Sequence, residues 1–496
     1  MAPTSAPTLP TLSPALLHID GRTREGRGAA ITTRCPATAE PLVTFPAASD
    51  EDLDAAIAAA RRTFDEGTWR DAAPERRAAI LSDAADRLAA RHEELVRLIV
   101  ADNGKTLGEA AIDVLSAVGV LRAAAQHAGH PTVTEMGEER GVRKQIRREP
   151  IGVVAGITPF NAPIAFTALK AAPALAAGNS VVLKPSERAP LAPLAVCEAL
   201  AAAGAPAGVV NLVQGDTATA AALAGDPRVD LVSLTGGTPA GEAVMRAAAP
   251  AIKRVVLELG GKSAHILLED ADLEAAIPAV AGGIFKNAGQ RCLSGSRLLV
   301  DASIADEVEA RIAAFADRLI VGDPLDPATQ VGAMIDGRAV EDVAAFVARA
   351  RGDGLAVAAG GRRVAELAPG SFFRPTVMTG ANRGSRAAQD EIFGPVLTVI
   401  RVNGPEEAVA VANDSRYGLA AGIWSRDVDR AAAMARRIRA GYVWINTYAA
   451  IFGDMPFGGF KRSGLGREGG VVGYEAYTEL KSVLADTTGG TTALRF

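Results

Sequence analysis

Between residues 151 and 259 the chain alternates short apolar runs with Ala- and Leu-rich stretches, and no other feature narrows its fold so far. The runs at 151–157, 181–183, 209–213, 231–234 and 255–259 are apolar almost throughout, as strands covered on both faces must be. Such strands alternating with helical stretches give βαβ units and a parallel sheet. A sheet of that kind binds ligands beyond the carboxyl ends of its strands. Asn161, Lys184, Gly215, Gly236 and Glu258 all fall at those ends.

Past Gly261 a second α/β region follows, with helical patterns at 304–319, 339–350 and 428–439 and strand patterns at 396–402 and 442–445. Upstream, Ser49-Asp50-Glu51-Asp52 opens a helix running to about Phe64, its acidic residues suited to a helix start. Pro74 begins a long helix whose apolar residues recur as far as Ile99, and Asn103-Gly104-Lys105 breaks the pattern. A further helix spans 114–127, and the polar stretch 132–148 reads as a strand pair outside a core. Residues 474–486 contain a last strand candidate before a Gly/Thr-rich tail. The opening 1–17, rich in Pro, Thr and Ala, lacks the basic and apolar regions of a signal peptide and reads as a disordered tail.

The 496 residues exceed what one hydrophobic core usually serves, so two or more domains are expected. A formal charge of −5 offers no basic footprint for nucleic acid. No stretch approaches the roughly 20 apolar residues of a membrane helix. Cys35, Cys197 and Cys292 share no metal-ligand or disulfide spacing, so no metal is expected. Free thiols fit a reducing cytoplasm.

Four short stretches carry chemistry. In Asn287-Ala288-Gly289-Gln290-Arg291-Cys292-Leu293-Ser294-Gly295-Ser296-Arg297 a cysteine lies between glycine-bearing turns, the polar setting that a thiolate needs. Taken alone, a cysteine is more often a small buried hydrophobe. Leu257-Glu258-Leu259-Gly260-Gly261-Lys262 sets a carboxylate where an apolar strand gives way to glycines, and poor solvation there raises a carboxyl pKa. Thr158-Pro159-Phe160-Asn161-Ala162-Pro163 sets an amide at a strand-to-helix turn, and Glu391-Ile392-Phe393-Gly394-Pro395 joins an acid and a ring on a rigid turn.

In these stretches, and in their order and spacing from about Asn103 to Lys481, the sequence resembles the aldehyde dehydrogenase superfamily. The resemblance implies a Rossmann-like cofactor domain (1–130 and 151–260), a second α/β catalytic domain (261–465) and a small β oligomerisation arm (131–150 and 474–496). It implies a homodimer or homotetramer that oxidises a small aldehyde to a carboxylic acid with NAD and water. Cys292 is then the nucleophile, Asn161 with the Cys292 N–H the oxyanion donors, and Glu258 the general base. Lys170 and Glu468 match a proton path leading away from Glu258.

On the cofactor side the resemblance assigns Thr158, Pro159, Phe160, Lys184, Ser186, Glu187, Gly215, Thr235, Gly236, Gly237, Gly241, Leu259, Gly260, Glu391 and Phe393. The usual G-x-G-x-x-G fingerprint fails at Gly215-Asp216-Thr217. Its place is taken by the turn Thr235-Gly236-Gly237, where Gly237 replaces a serine often found in the family. A carboxylate at Glu187 suits ribose hydroxyls and repels a 2′-phosphate, favouring NAD; NADP stays open because Arg188 stands beside it. Ala162, Phe166, Leu169, Arg291, Leu293, Ile451 and Phe457 match the substrate tunnel, with fewer rings than is common there. Ala123 and Ala124 also occupy positions that are often aromatic. Arg291 either meets a substrate carboxylate or points into structure. A CoA-acylating or carboxylated-semialdehyde dehydrogenase is a rival reading, and a non-catalytic protein retaining the fold is another.

Overall fold

The computed structural model describes residues 13–489. The apolar runs form five parallel strands in the order Arg254–Glu258, Leu231–Thr235, Val153–Ile157, Ser180–Lys184, Val210–Leu212. From Val153–Ile157 the chain winds outward through the next two strands and then crosses to the other side at Leu231–Thr235. That reversal opens a crevice at the carboxyl ends of the two neighbours. Short antiparallel strands cover both edges. Leu17–Ile19 joins one through His18 and Leu212, and Gly464–Leu465 joins the other through Leu257 with Leu465 and Glu258 with Gly464.

A second sheet runs Ala356–Ala359, Thr376–Ala381, Val396–Val402, Arg297–Asp301, Ala264–Leu267, Ala420–Trp424, Tyr442–Ile445, parallel except for its first strand. Helices pack against both large sheets, burying separate apolar clusters on their faces. A three-stranded antiparallel sheet of Val133–Glu139, Val142–Pro150 and Thr478–Asp486 stands apart, with Met136, Leu480 and Leu484 exposed. Among the described residues no helix is long and apolar enough to cross a membrane.

Several expected boundaries move, each for a local reason. The helix at Asp50–Asp65 starts where Ser49 and Asp52 form a reciprocal capping box. The long helix from Pro74 is two, Pro74–Ala90 and His92–Asn103, interrupted at Arg91. Gly104 ends the second with φ 80°, a left-handed conformation that glycine adopts without strain. The next helix begins at Leu107, because Thr106 and Glu109 form another capping box. The Thr106-x-x-Glu109 pattern marks that start in the sequence, while Gly108 in its first turn weakens the helical signal. The helix expected at 428–439 stops at Ala435. Leu17 is not part of a disordered tail, since its side chain is fully buried in a strand. Residues 1–12 of that expected tail, and 490–496 of the arm, lie outside the described residues.

Arg297 fastens the second sheet to its helices. Its buried guanidinium donates to the carbonyls of Lys262 (2.8 Å), Val411 (3.0 Å) and Ala412 (2.9 Å). The latter two belong to the last turn of the helix Gly404–Asn413, where carbonyls lack helical partners. Arg297→Met keeps the length and leaves three acceptors without a donor. A loss of about 3 kcal/mol is expected, read as a lower urea midpoint at unchanged m-value.

Candidate active site

Both sheets deliver side chains to one place. Glu258 ends a strand of the first, Asn161 sits just before the helix Pro163–Ala176, and Cys292 lies between the helix Leu273–Phe285 and the strand Arg297–Asp301. Asn161 and Cys292 line one cavity of about 460 Å³, and Glu258 is close enough to Cys292 to act on its charge.

The nucleophile loop is bent sharply. Asn287, Ala288 and Gly289 are all left-handed, at φ 53°, 48° and 73°. For the two that are not glycine this costs about 1–3 kcal/mol each, so contacts must hold the turn. Glu109 accepts from the Asn287 N–H at 2.7 Å, and the Asn287 amide donates to the carbonyls of Asn161 and Gln290, both at 3.2 Å. The Ser294 hydroxyl donates to the Gly289 carbonyl (3.1 Å) and the Tyr448 hydroxyl to that of Leu293 (2.7 Å). A Cβ at Gly289 would meet the Gly394 carbonyl oxygen at 2.1 Å, so only glycine closes this turn.

Burial pushes the Cys292 thiol up to about 12; Glu258 and Glu391 add to the rise, while Arg291 and the Leu293 backbone oppose it. The resting sulfur is therefore a thiol that needs a base. Glu258 is 3% exposed, and neither carboxylate oxygen has a hydrogen-bond partner. Burial first, and Glu468 second, push its pKa well above the usual carboxylate range, against Lys170 and Arg467. Lys170 and Glu468 form a buried ion pair. The Ser233 hydroxyl lies 3.3 Å from Glu468, and the Tyr477 hydroxyl 3.2 Å from Ser233. The Asn161 amide is buried and, among the described residues, bonds to no protein acceptor, nor does the Cys292 backbone N–H.

The switch-point crevice holds the residues expected for a cofactor. The hydroxyls of Thr158 and Thr235 are buried there without partners. Gly236 follows the strand Leu231–Thr235, and Gly237 caps the helix Thr238–Ala248 without a side-chain bond, leaving the first N–H groups open. Gly241 brings that helix close, since a Cβ would stand 2.7 Å from Leu259. Lys184 pairs with Glu187 at 3.1 Å, and Ser186 accepts from the Arg188 N–H. Arg188 itself turns away from Glu187. Its Nε donates to Asp336 (2.9 Å) and its guanidinium lies over the Phe160 ring. Phe160 also meets Phe393 edge to face, with Pro159 before it partly exposed. Glu391 accepts from the Gly261 N–H, and burial pushes its carboxyl up to about 7. A Cβ at Gly260 would lie 1.9 Å from Glu391, so glycine is what admits the acid. Gly215 packs on Thr219, and its neighbour Asp216 caps the next helix itself.

Of the expected tunnel residues, Ala162, Phe166, Arg291, Leu293 and Ile451 line the cavity. Leu169 and Phe457 do not. Phe457 packs on Tyr442 among the apolar residues behind Cys292. Ala123 and Ala124 are not in the wall either. Sequence reasoning missed Glu109, Lys286 and Tyr448, which do line it. Glu109 carried a visible signal as the third residue of a capping box; Tyr448 and Lys286 carried none.

The profile of the aldehyde dehydrogenase family matches residues 23–483, and the chain belongs to that family. Betaine aldehyde dehydrogenase of Bacillus subtilis (strain 168) is 40% identical over 459 residues, covering 91% of this chain and 93% of its own. The enzyme of that name from Cereibacter sphaeroides (strain ATCC 17029) is 42% identical, covering 95% and 97%. Betaine aldehyde dehydrogenase of Staphylococcus aureus, solved in complex with NAD+, superposes with a TM-score of 0.95 at 35% identity, covering 99% and 98%.

The raised Cys292 pKa has a direct readout in the protein without cofactor. Alkylation by iodoacetamide should rise about tenfold per pH unit through the mildly alkaline range, without a plateau. Mass spectrometry of the Cys292 peptide against pH checks this, and a plateau near neutrality would contradict the assigned environment.

Proposed function

We propose that the protein oxidises an aldehyde to a carboxylic acid with NAD and water, through a covalent adduct on Cys292. The observation that carries this reading is the buried, unpartnered carboxylate of Glu258 beside a nucleophile and a free amide donor. Glu258 takes the thiol proton, and Cys292 Sγ attacks the aldehyde carbon. The oxyanion that forms is received by the Asn161 amide and the Cys292 N–H, which need no rearrangement to donate. NAD held by the crevice residues would supply the hydride acceptor for the tetrahedral adduct, and Cys292 would retain the acyl group as a thioester. Glu258 then draws a proton from water, which attacks the thioester, and the acid departs. Lys170 and Glu468 stand where that proton can leave the buried base.

The residues in the crevice fit NAD. The open N–H groups after Gly237 and the orphaned Thr158 and Thr235 hydroxyls offer phosphate and ribose contacts. Lys184 with Glu187 would hold the adenosine ribose, and Glu391 with Phe393 the nicotinamide ribose. Because Arg188 is held by Asp336, it is not free to receive a 2′-phosphate, which favours NAD over NADP. The CoA-acylating reading is disfavoured by Glu258, whose water would cleave the thioester first. The chain is assigned a cofactor-binding part at 1–130 and 151–260, a catalytic part at 261–465, and an oligomerisation arm at 131–150 and 474–496, whose described strands would pair subunits through their exposed apolar residues. A cytoplasmic location accords with three free cysteines.

Three variants test these roles. Cys292→Ala should lose more than about 10³-fold in kcat while NAD still binds by fluorescence titration; turnover near wild type would remove Cys292 from the mechanism. Glu258→Gln should accumulate an acyl-enzyme visible by mass spectrometry, with hydrolysis slowed about 10²–10⁴-fold. In the wild type, deacylation should increase as pH rises through the elevated Glu258 pKa, because only the deprotonated carboxylate accepts a proton, and the variant should lose that limb. Glu187→Ala should shift the kcat/KM ratio toward NADP by removing a negative charge; an unmoved ratio would place the ribose elsewhere.

A further inference from the structure

The cavity wall holds charges that the oxidation does not use. Lys105, Glu109, Asp113, Lys286 and Arg291 all line it. Three of the five are already matched. Lys105 Nζ sits 2.5 Å from Asp113, and the two oxygens of Glu109 accept the N–H groups of Thr106 (3.1 Å) and Asn287 (2.7 Å). Arg291 and Lys286 have neither an ion pair nor a side-chain hydrogen bond among the described residues. Asp113 feels the Arg291 charge, yet its contact is with Lys105. Two unmatched cations thus face the space into which Cys292 opens, one beside the nucleophile and one on an exposed position.

Resting on the dehydrogenase reading above, we infer that the aldehyde oxidised here carries a carboxylate, received by the Arg291 guanidinium with Lys286 adding to the attraction. A guanidinium presents a planar fork that matches a carboxylate with two parallel hydrogen bonds. Arg291 adjoins Cys292 in the chain, so the carboxylate and the reacting carbon lie close together, which selects a short-chain substrate. The opposite charge is poorly served. A quaternary ammonium group binds among several aromatic faces, whereas among the described residues the rings in this wall are Phe166 and Tyr448. Tyr448 is already packed between His265 and Trp444, with centroids at 4.0 and 4.6 Å. A trimethylammonium aldehyde, the substrate for which the relatives are named, would bring its charge toward a wall whose charged residues carry a net positive charge.

The test compares three aldehydes of matched chain length, one carboxylated, one its neutral methyl ester and one trimethylammonium. Wild type should favour the carboxylated aldehyde, and Arg291→Met should lower the ratio of kcat/KM for carboxylated over ester substrate about 10- to 100-fold. The loss should fall mainly in KM, and Arg291→Lys should restore part of it. A preference for the trimethylammonium substrate, or a ratio that does not move, overturns the inference. A second arm needs no turnover: the rates at which iodoacetate and iodoacetamide alkylate Cys292 are compared in wild type and Arg291→Met. An anion advantage lost in the variant supports the carboxylate site even if no aldehyde is oxidised, in which case the dehydrogenase reading alone fails. Equal ratios in the two proteins overturn the site.

Discussion

A buried carboxylate with no hydrogen-bond partner is the constraint around which much of this structure is arranged. Glu258 ends an apolar strand with both oxygens buried and unbonded. An ionised carboxylate in such a place costs several kcal/mol, so the group holds its proton well above the usual range. That makes it a base strong enough to serve a thiol and a water, which an exposed glutamate is not. The buried Lys170–Glu468 pair beside it presses in both directions, Glu468 raising and Lys170 lowering the same pKa. Strand pairing keeps the site dry, because Gly464–Leu465 covers what would otherwise be an open sheet edge at Glu258.

Cys292 faces the complementary problem. Cys292 has to be reachable, so it stands on a loop, and loops do not hold positions without help. Two left-handed non-glycine residues store strain just upstream, and the groups that stabilise the turn come from distant parts of the chain: Glu109 from a helix cap, Asn161 from the first sheet, Tyr448 from beyond the last strand of the second. Asn161 and the Cys292 loop are thereby linked directly, since the Asn161 carbonyl accepts from Asn287 while its side chain faces the cavity.

Most of the architecture was legible in the sequence because buried parallel strands are written as unbroken apolar runs. The strands at 396–402 and 442–445 fall where they were expected, and alternation announces the parallel sheet, though not the strand order that makes the crevice. What was hidden was set by contacts distant in sequence. The edge strands Leu17–Ile19 and Gly464–Leu465 are too short to show a period, and the break at Arg91 has no glycine or proline to announce it. In the site, residues inside motifs were legible and those supplied by other elements were not. Arg188 illustrates the limit: beside Glu187 in sequence, it is drawn off by Asp336, a residue 148 positions away. Phe457 likewise sits next to the cavity wall in motif but packs behind it in space.

The short strand Gly464–Leu465 also decides how the molecule can breathe. It belongs to the chain that follows the second sheet, yet it is hydrogen-bonded into the first, and the Leu259 N–H is tied to the Ser463 carbonyl at 2.9 Å. The two sheets are stitched together immediately beside Glu258. A clamshell rotation about the crevice would have to break backbone ladder bonds at the very residue whose environment the chemistry needs. Entry of a long ligand by side-chain and loop rearrangement along the slot would leave those ladder bonds intact.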